Sequence, residues 1–144
     1  MKQKYIELYM NWATSTAQLS HAKRLQVGAV IVKDDSVISY GYNGMPAGWD
    51  NNCEDWIEDG DLGSGWKTKS EVLHAESNAI AKLAKSINSG NMASIFITHA
   101  PCIDCAKLIY QSGINSVYYR SAYRDTAGIE FLEKSGVKVN IVDV

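Results

Sequence analysis

Apolar residues recur at helical spacing through the first twenty positions. Tyr5, Leu8, Tyr9, Trp12, Ala13 and Thr16 form one stripe, which predicts a helix over residues 2–20 with the stripe in the core. The period then changes. Residues 26–33, Gln-Val-Gly-Ala-Val-Ile-Val-Lys, are rich in β-branched side chains, Asp34-Asp35 is a turn signal, and residues 37–42 are strand-like again. The pair reads as a β-hairpin. Gly28 inside its first strand signals a bulge or a close approach by another segment. A second apolar stripe, Ala75, Ala79, Ile80, Leu83, Ala84 and Ile87, predicts a helix opening at His74. Then come a strand over 93–98, a helix entered at Pro101 and stopped by Gly113, a strand over 115–120, a helix over 126–135 stopped by Gly136, and a strand over 137–142. The order α-β-β-α-β-α-β-α-β predicts an α/β fold whose later strands run parallel, with helical crossovers on the sheet faces.

Residues 43–71 fit neither period. They hold Asn43-Gly44, Pro46, Gly48, Asn51-Asn52 and glycines at 60, 63 and 65, and they read as one long irregular loop. Trp49, Trp56 and Trp66 argue that it is ordered, because indoles are poor tenants of a disordered segment. Such a loop lines a ligand site or packs on a neighbouring subunit.

Composition narrows the function. The chain has 144 residues, enough for one domain, so residues 1–144 are expected to form a single domain. Its formal net charge of -2 argues against a broad nucleic-acid surface and leaves small molecules as partners. No apolar run is long enough to span a membrane. Three cysteines do not make a disulfide framework, and a cytoplasmic location fits.

Chemistry concentrates in two short segments, His74-Ala75-Glu76 and Pro101-Cys102-Ile103-Asp104-Cys105. The pattern H-x-E…P-C-x-x-C is the signature of zinc nucleobase deaminases. Zn2+ accepts imidazole nitrogen and thiolate sulfur, and catalytic sites keep three protein ligands and one open position. His74, Cys102 and Cys105 supply three. Both segments open helices, whose partial positive charge favours thiolates. Glu76 suits a general acid/base beside the metal rather than a ligand. Two other readings stay open: a closed structural zinc site with Cys53 as fourth ligand, and a redox dithiol. Neither needs Glu76.

With both halves in view, the chain resembles the deoxycytidylate (dCMP) deaminases of the cytidine deaminase-like superfamily, in their small bacterial and phage form. The resemblance runs through residues 26–32, 41–48 (Gly-Tyr-Asn-Gly-Met-Pro-Ala-Gly), 74–80 and 101–107. It implies a three-layer α/β/α fold with a five-stranded mixed sheet, and hydrolytic deamination of dCMP to dUMP, which feeds thymidylate synthesis. It implies one catalytic zinc on His74, Cys102 and Cys105, Glu76 as proton shuttle, the Ala75 N–H on the ring carbonyl, and Asn43 on the sugar. The substrate phosphate needs cations, for which Arg24 and Arg124 are candidates, with Tyr123 beside them. His99, which departs from the residue common there in many relatives, is a further candidate: it contacts the substrate or fills the strand end. Members are often hexameric, activated by dCTP with Mg2+ and inhibited by dTTP; Asn43 and Gly44 resemble that effector region. Deamination of another base, and a zinc-stapled nucleotide-binding module without turnover, are the competing functions.

Overall fold

The computed structural model describes residues 1–59, 63–122 and 125–143. In chain order its elements are α1 (Gln3–Ala17), β1 (Gly28–Lys33), β2 (Ser36–Tyr42), β3 (Glu54–Asp59), β4 (Gly63–Thr68), α2 (Ala75–Ala84), β5 (Ser94–His99), α3 (Ile103–Gln111), β6 (Ser116–Ser121), α4 (Ala127–Lys134) and β7 (Lys138–Ile141). Five strands pair in the order β2-β1-β5-β6-β7. β1 is antiparallel to both neighbours, while β5, β6 and β7 are mutually parallel. The sheet is therefore mixed. β2 and β5 run the same way on either side of β1, so the α2 crossover spans the hairpin's first strand.

Helices cover both faces. On one face α1 packs Tyr9, Met10 and Ala13 against Val30, Val32, Phe96 and Tyr118. On the other, Ala75, Ala79 and Leu83 of α2, Ala106 and Ile109 of α3 and Leu132 of α4 meet Ala29, Ile31, Ile95, Ile97 and Val117. β1 is buried on both faces, which is why it reads as a continuous apolar run and not as alternation. Asp34 and Asp35 both have positive φ, 50° and 60°, as a two-residue hairpin turn of the primed type requires. Gly28 answers the question the sequence posed. A Cβ there would overlap the Ala13 carbonyl and lie 2.6 Å from the Ala17 nitrogen, so the close approach is made by α1.

Three expectations need correction. Leu8 and Trp12 do not join the core; they point outward from α1, and with Leu19 they leave an exposed apolar edge. Ile87 lies beyond the end of α2 and is fully exposed. Residues 43–71 are not uniformly irregular: β3 and β4 form an antiparallel hairpin of their own, with Trp56 opposite Trp66. The two indoles meet edge to face, 5.2 Å between ring centres. The sequence hides this hairpin because its strands are built largely from Asp, Glu, Gly and Lys, which have poor strand propensity, and the indole pair supplies the cross-strand contact instead.

Candidate metal and substrate site

Each half of the site stands at a helix start. His74 is the N-cap of α2 and Cys102 the N-cap of α3, both with extended backbone, and Cys105 sits within the first turn of α3. Pro101 precedes this cap, where its missing N–H costs nothing. β5 ends at His99, and Pro101 and Cys102 follow at once. α2 is pressed against β2: a Cβ on Gly41 would overlap the Ala75 carbonyl and lie 2.6 Å from the Ala79 nitrogen. Packing of α2 against α3 on one face of the sheet thus brings residues 28 positions apart into contact.

The His74 Nδ1 lies 3.3 Å from the Cys105 Sγ and 3.6 Å from the Cys102 Sγ. All three ligand atoms fall within 4.8 Å of one another. A tetrahedral zinc with ordinary Zn–N and Zn–S bond lengths separates its nitrogen and sulfur ligands by about 3.5 Å, so these residues fit that ion. Cys105 is buried, Cys102 half-buried and His74 accessible, which leaves one side of the group open toward solvent. Hydrogen bonds from Cys105 and from His74 hold the Cys102 thiol down near 4. Cys105 moves the other way, because it donates to Cys102 and is desolvated. Cys53 is buried nearby but stands outside this ligand group.

Glu76 is 4% exposed and lies in the first turn of α2. Burial pushes its carboxyl up to about 7, partly offset by its own backbone N–H and by His74. The position in the first turn also leaves the Ala75 and Glu76 amides without intrahelical acceptors.

A cavity of about 460 Å³ opens over this group, a size suited to a small ligand. Arg24, Asn43, His74, Ala75, Glu76, His99 and Cys102 all line it. The antiparallel pairing of β1 with both neighbours explains the gathering: the start of β1 and the ends of β2 and β5 lie at the same end of the sheet. Arg24 is exposed and donates to the Thr68 Oγ1 at 3.3 Å. Asn43 is largely committed to the backbone: its Oδ1 accepts from the Val27 N–H at 2.9 Å and its Nδ2 donates to the Leu25 carbonyl at 2.8 Å. One amide hydrogen and one lone pair remain. His99 is half-buried, and desolvation followed by Arg120 lowers its pKa. Gly44 instead pairs with Leu73 and lines a second cavity of about 500 Å³, which it shares with Asn43, Lys82 and Lys85. Tyr123 and Arg124 lie outside the described residues.

Sequence reasoning missed Glu54 and Thr68, which also line the first cavity. Glu54 is 1% exposed, and both its oxygens accept from the Lys23 N–H. No linear signal marks an acidic residue in an unrecognised hairpin.

A model of the cytidine and deoxycytidylate deaminase zinc-binding region matches residues 3–121. A solved dCMP deaminase from the cyanophage S-TIM5, in complex with dCMP and dUMP, superimposes with a TM-score of 0.87 and 43% identity, covering 99% of each chain. The deoxycytidylate deaminase of Mycobacterium phage D29 is 38% identical over 120 residues, covering 78% of this chain and 91% of its own length. ComE operon protein 2 of Bacillus subtilis is 36% identical over 143 residues, covering 96% and 71% respectively.

Proposed function

The chain belongs to the cytidine and deoxycytidylate deaminase family, and from that footing we propose that it hydrolyses dCMP to dUMP and ammonia. It is a hydrolase of the zinc-type deaminase class. One observation carries the choice of substrate: His74 and Cys102 of the ligand group, the buried Glu76 carboxylate and the Arg24 cation line a single cavity of nucleotide size. The match to a phage enzyme holding dCMP and dUMP supports it. In this reading the whole chain, residues 1–144, is one domain.

His74, Cys102 and Cys105 hold the zinc, which when bound supplies a Lewis acid that makes water a nucleophile near neutral pH. Glu76 takes the proton released as water attacks the ring carbon bearing the amine. It delivers that proton to N3, then takes the remaining proton from the hydroxyl now on the ring carbon and gives it to the amine, which leaves as ammonia as the carbonyl forms, so the carboxylate is regenerated each cycle. Burial suits Glu76 to this shuttle, since a general acid/base works best with a pKa near the operating pH. The Ala75 N–H, free at the helix start, donates to the ring O2, and Asn43 offers its remaining hydrogen-bond capacity to the sugar. Arg24 meets the phosphate. His99 stands at the end of β5 where a substrate edge would pass, and Arg124 and Tyr123 complete phosphate recognition. A free-standing binding module would have no use for the buried Glu76.

Regulation belongs to the same reading. The second cavity, with Asn43 and Gly44 on one side and Lys82 and Lys85 on the other, suits a polyanionic effector: dCTP with Mg2+ as activator, dTTP as inhibitor. The exposed Leu8 and Trp12 on α1, with Leu19 just beyond its end, support a homo-oligomer, a hexamer by family resemblance. The cytoplasm is the proposed location, and no nucleic acid or membrane is a partner.

The test is loss of cytosine absorbance with dCMP, deoxycytidine and CMP, each with and without dCTP and Mg2+. Turnover of dCMP well above that of deoxycytidine is expected, with dCTP raising it. A zinc-loaded protein that turns over none of the three would overturn the substrate.

A further inference from the structure

Among the described residues the β3–β4 hairpin shares no ladder with the central sheet, yet it lines the same cavity as His74 and Cys102. Its ties to the segment before β1 converge on two adjacent residues. The Lys23 N–H donates to both Glu54 oxygens, at 2.9 and 2.8 Å. The Lys23 Nζ stands 4.1 Å from the centre of the Trp66 ring. The Arg24 Nη1 donates to the Thr68 Oγ1. Backbone, ammonium and guanidinium of neighbouring residues are thus all pinned to one small hairpin.

Glu54 is the buried member of this set. A carboxylate withdrawn from water has to be satisfied internally, and an N–H···carboxylate bond is about twice as strong as a neutral one. By fixing the amide of Lys23, it fixes the residue that follows. Arg24 is otherwise an exposed side chain on a link without regular structure, and would lose much rotamer freedom on meeting a ligand. Pre-ordering it lowers that cost where the ligand is anionic.

We propose that Glu54 is a positioning residue: through the Lys23 amide it holds Arg24 where the guanidinium meets the 5′-phosphate of the substrate. The inference rests on the phosphate reading of Arg24 given above. The hairpin is then a phosphate-site support, and discrimination between nucleotide and nucleoside depends on a side chain that never touches the phosphate.

The experiment is steady-state kinetics on zinc-quantified protein with dCMP and with deoxycytidine. Glu54→Ala should raise the KM for dCMP about tenfold, the scale of one lost hydrogen bond to a charged group. Its kcat, and its kcat/KM on deoxycytidine, should stay within about threefold of wild type. Glu54→Gln keeps a carbonyl acceptor for the Lys23 N–H and should recover most of the loss. In an Arg24→Ala background, Glu54→Ala should add nothing to the KM for dCMP. Should Glu54→Ala fold poorly, Thr68→Val on the exposed face of β4 removes the other Arg24 anchor and should raise the KM for dCMP alone. Equal losses on both substrates, additive effects with Arg24→Ala, or an unchanged KM for dCMP in Glu54→Ala (in Thr68→Val, should Glu54→Ala fold poorly) would overturn the positioning role. A wild-type protein that handles deoxycytidine as well as dCMP would instead overturn the phosphate reading itself, before any variant is compared.

Discussion

Gly41→Ala joins packing to chemistry in one methyl group. A Cβ at position 41 would overlap the Ala75 carbonyl and sit 2.6 Å from the Ala79 nitrogen and 3.1 Å from the Asn78 Cβ. Carbon needs roughly 3.5 Å from such neighbours, so α2 has to lift from β2 by about 1 Å. Two of the three obstructing atoms are backbone, which cannot swing aside. Overpacking of this kind costs about 1–3 kcal/mol, and the upper half applies here. For a chain of this size that is a fall in Tm of roughly 4–12 °C. The same lift moves His74, Ala75 and Glu76, because all three sit at the pressed end of α2. A misplacement of about 1 Å costs on the order of 100-fold in rate. Gly28→Ala is the matched control: it clashes with α1, which carries no site residue, so it should lower Tm similarly while keeping activity. The assay is thermal unfolding together with dCMP turnover per bound zinc, below both transitions. Wild-type turnover per zinc in Gly41→Ala, or an equal loss in Gly28→Ala, would refute the claim that the α2–β2 contact positions the site.

Other outcomes follow from the same geometry. Glu76→Gln should leave a folded, zinc-loaded protein with kcat reduced about 10²–10⁴-fold; a variant keeping more than a tenth of wild-type kcat would remove Glu76 from the proton path. Arg24→Ala should raise the KM for dCMP on the order of tenfold or more and leave deoxycytidine turnover nearly unchanged; equal effects on both would make Arg24 structural. Zinc affinity should rise with pH through neutrality, about tenfold per unit for each proton displaced. The sign follows from Cys105, whose raised pKa keeps it protonated until the metal displaces that proton, whereas Cys102, near 4, is already a thiolate. Competition with a chelating dye between pH 6 and 8 reads this, and a flat profile would contradict it. Zinc at 100 times its Kd should also stabilise the protein by about 2.7 kcal/mol, a gain that His74→Ala abolishes in a thermal melt.

What the sequence determined by itself is local or compositional. The period change from α1 to β1, the paired aspartates at positive φ and the stops at Gly113 and Gly136 are short-range signals, and they survived folding. His74, Cys102 and Cys105 were legible because zinc demands particular donor atoms, and helix starts are written in a few adjacent residues. Tertiary structure decided the rest. Which α1 residues face the sheet depends on how the helix is rolled, so Tyr9 and Ala13 are buried while Leu8 and Trp12 are not. The β3–β4 hairpin exists through one indole pair across strands of poor propensity, a contact between residues ten apart that no window of local pattern registers. Glu54 became a candidate only when folding placed its carboxylate against an amide 31 residues away. A buried charge is recognised by its partners, and partners distant in sequence are supplied by the fold alone.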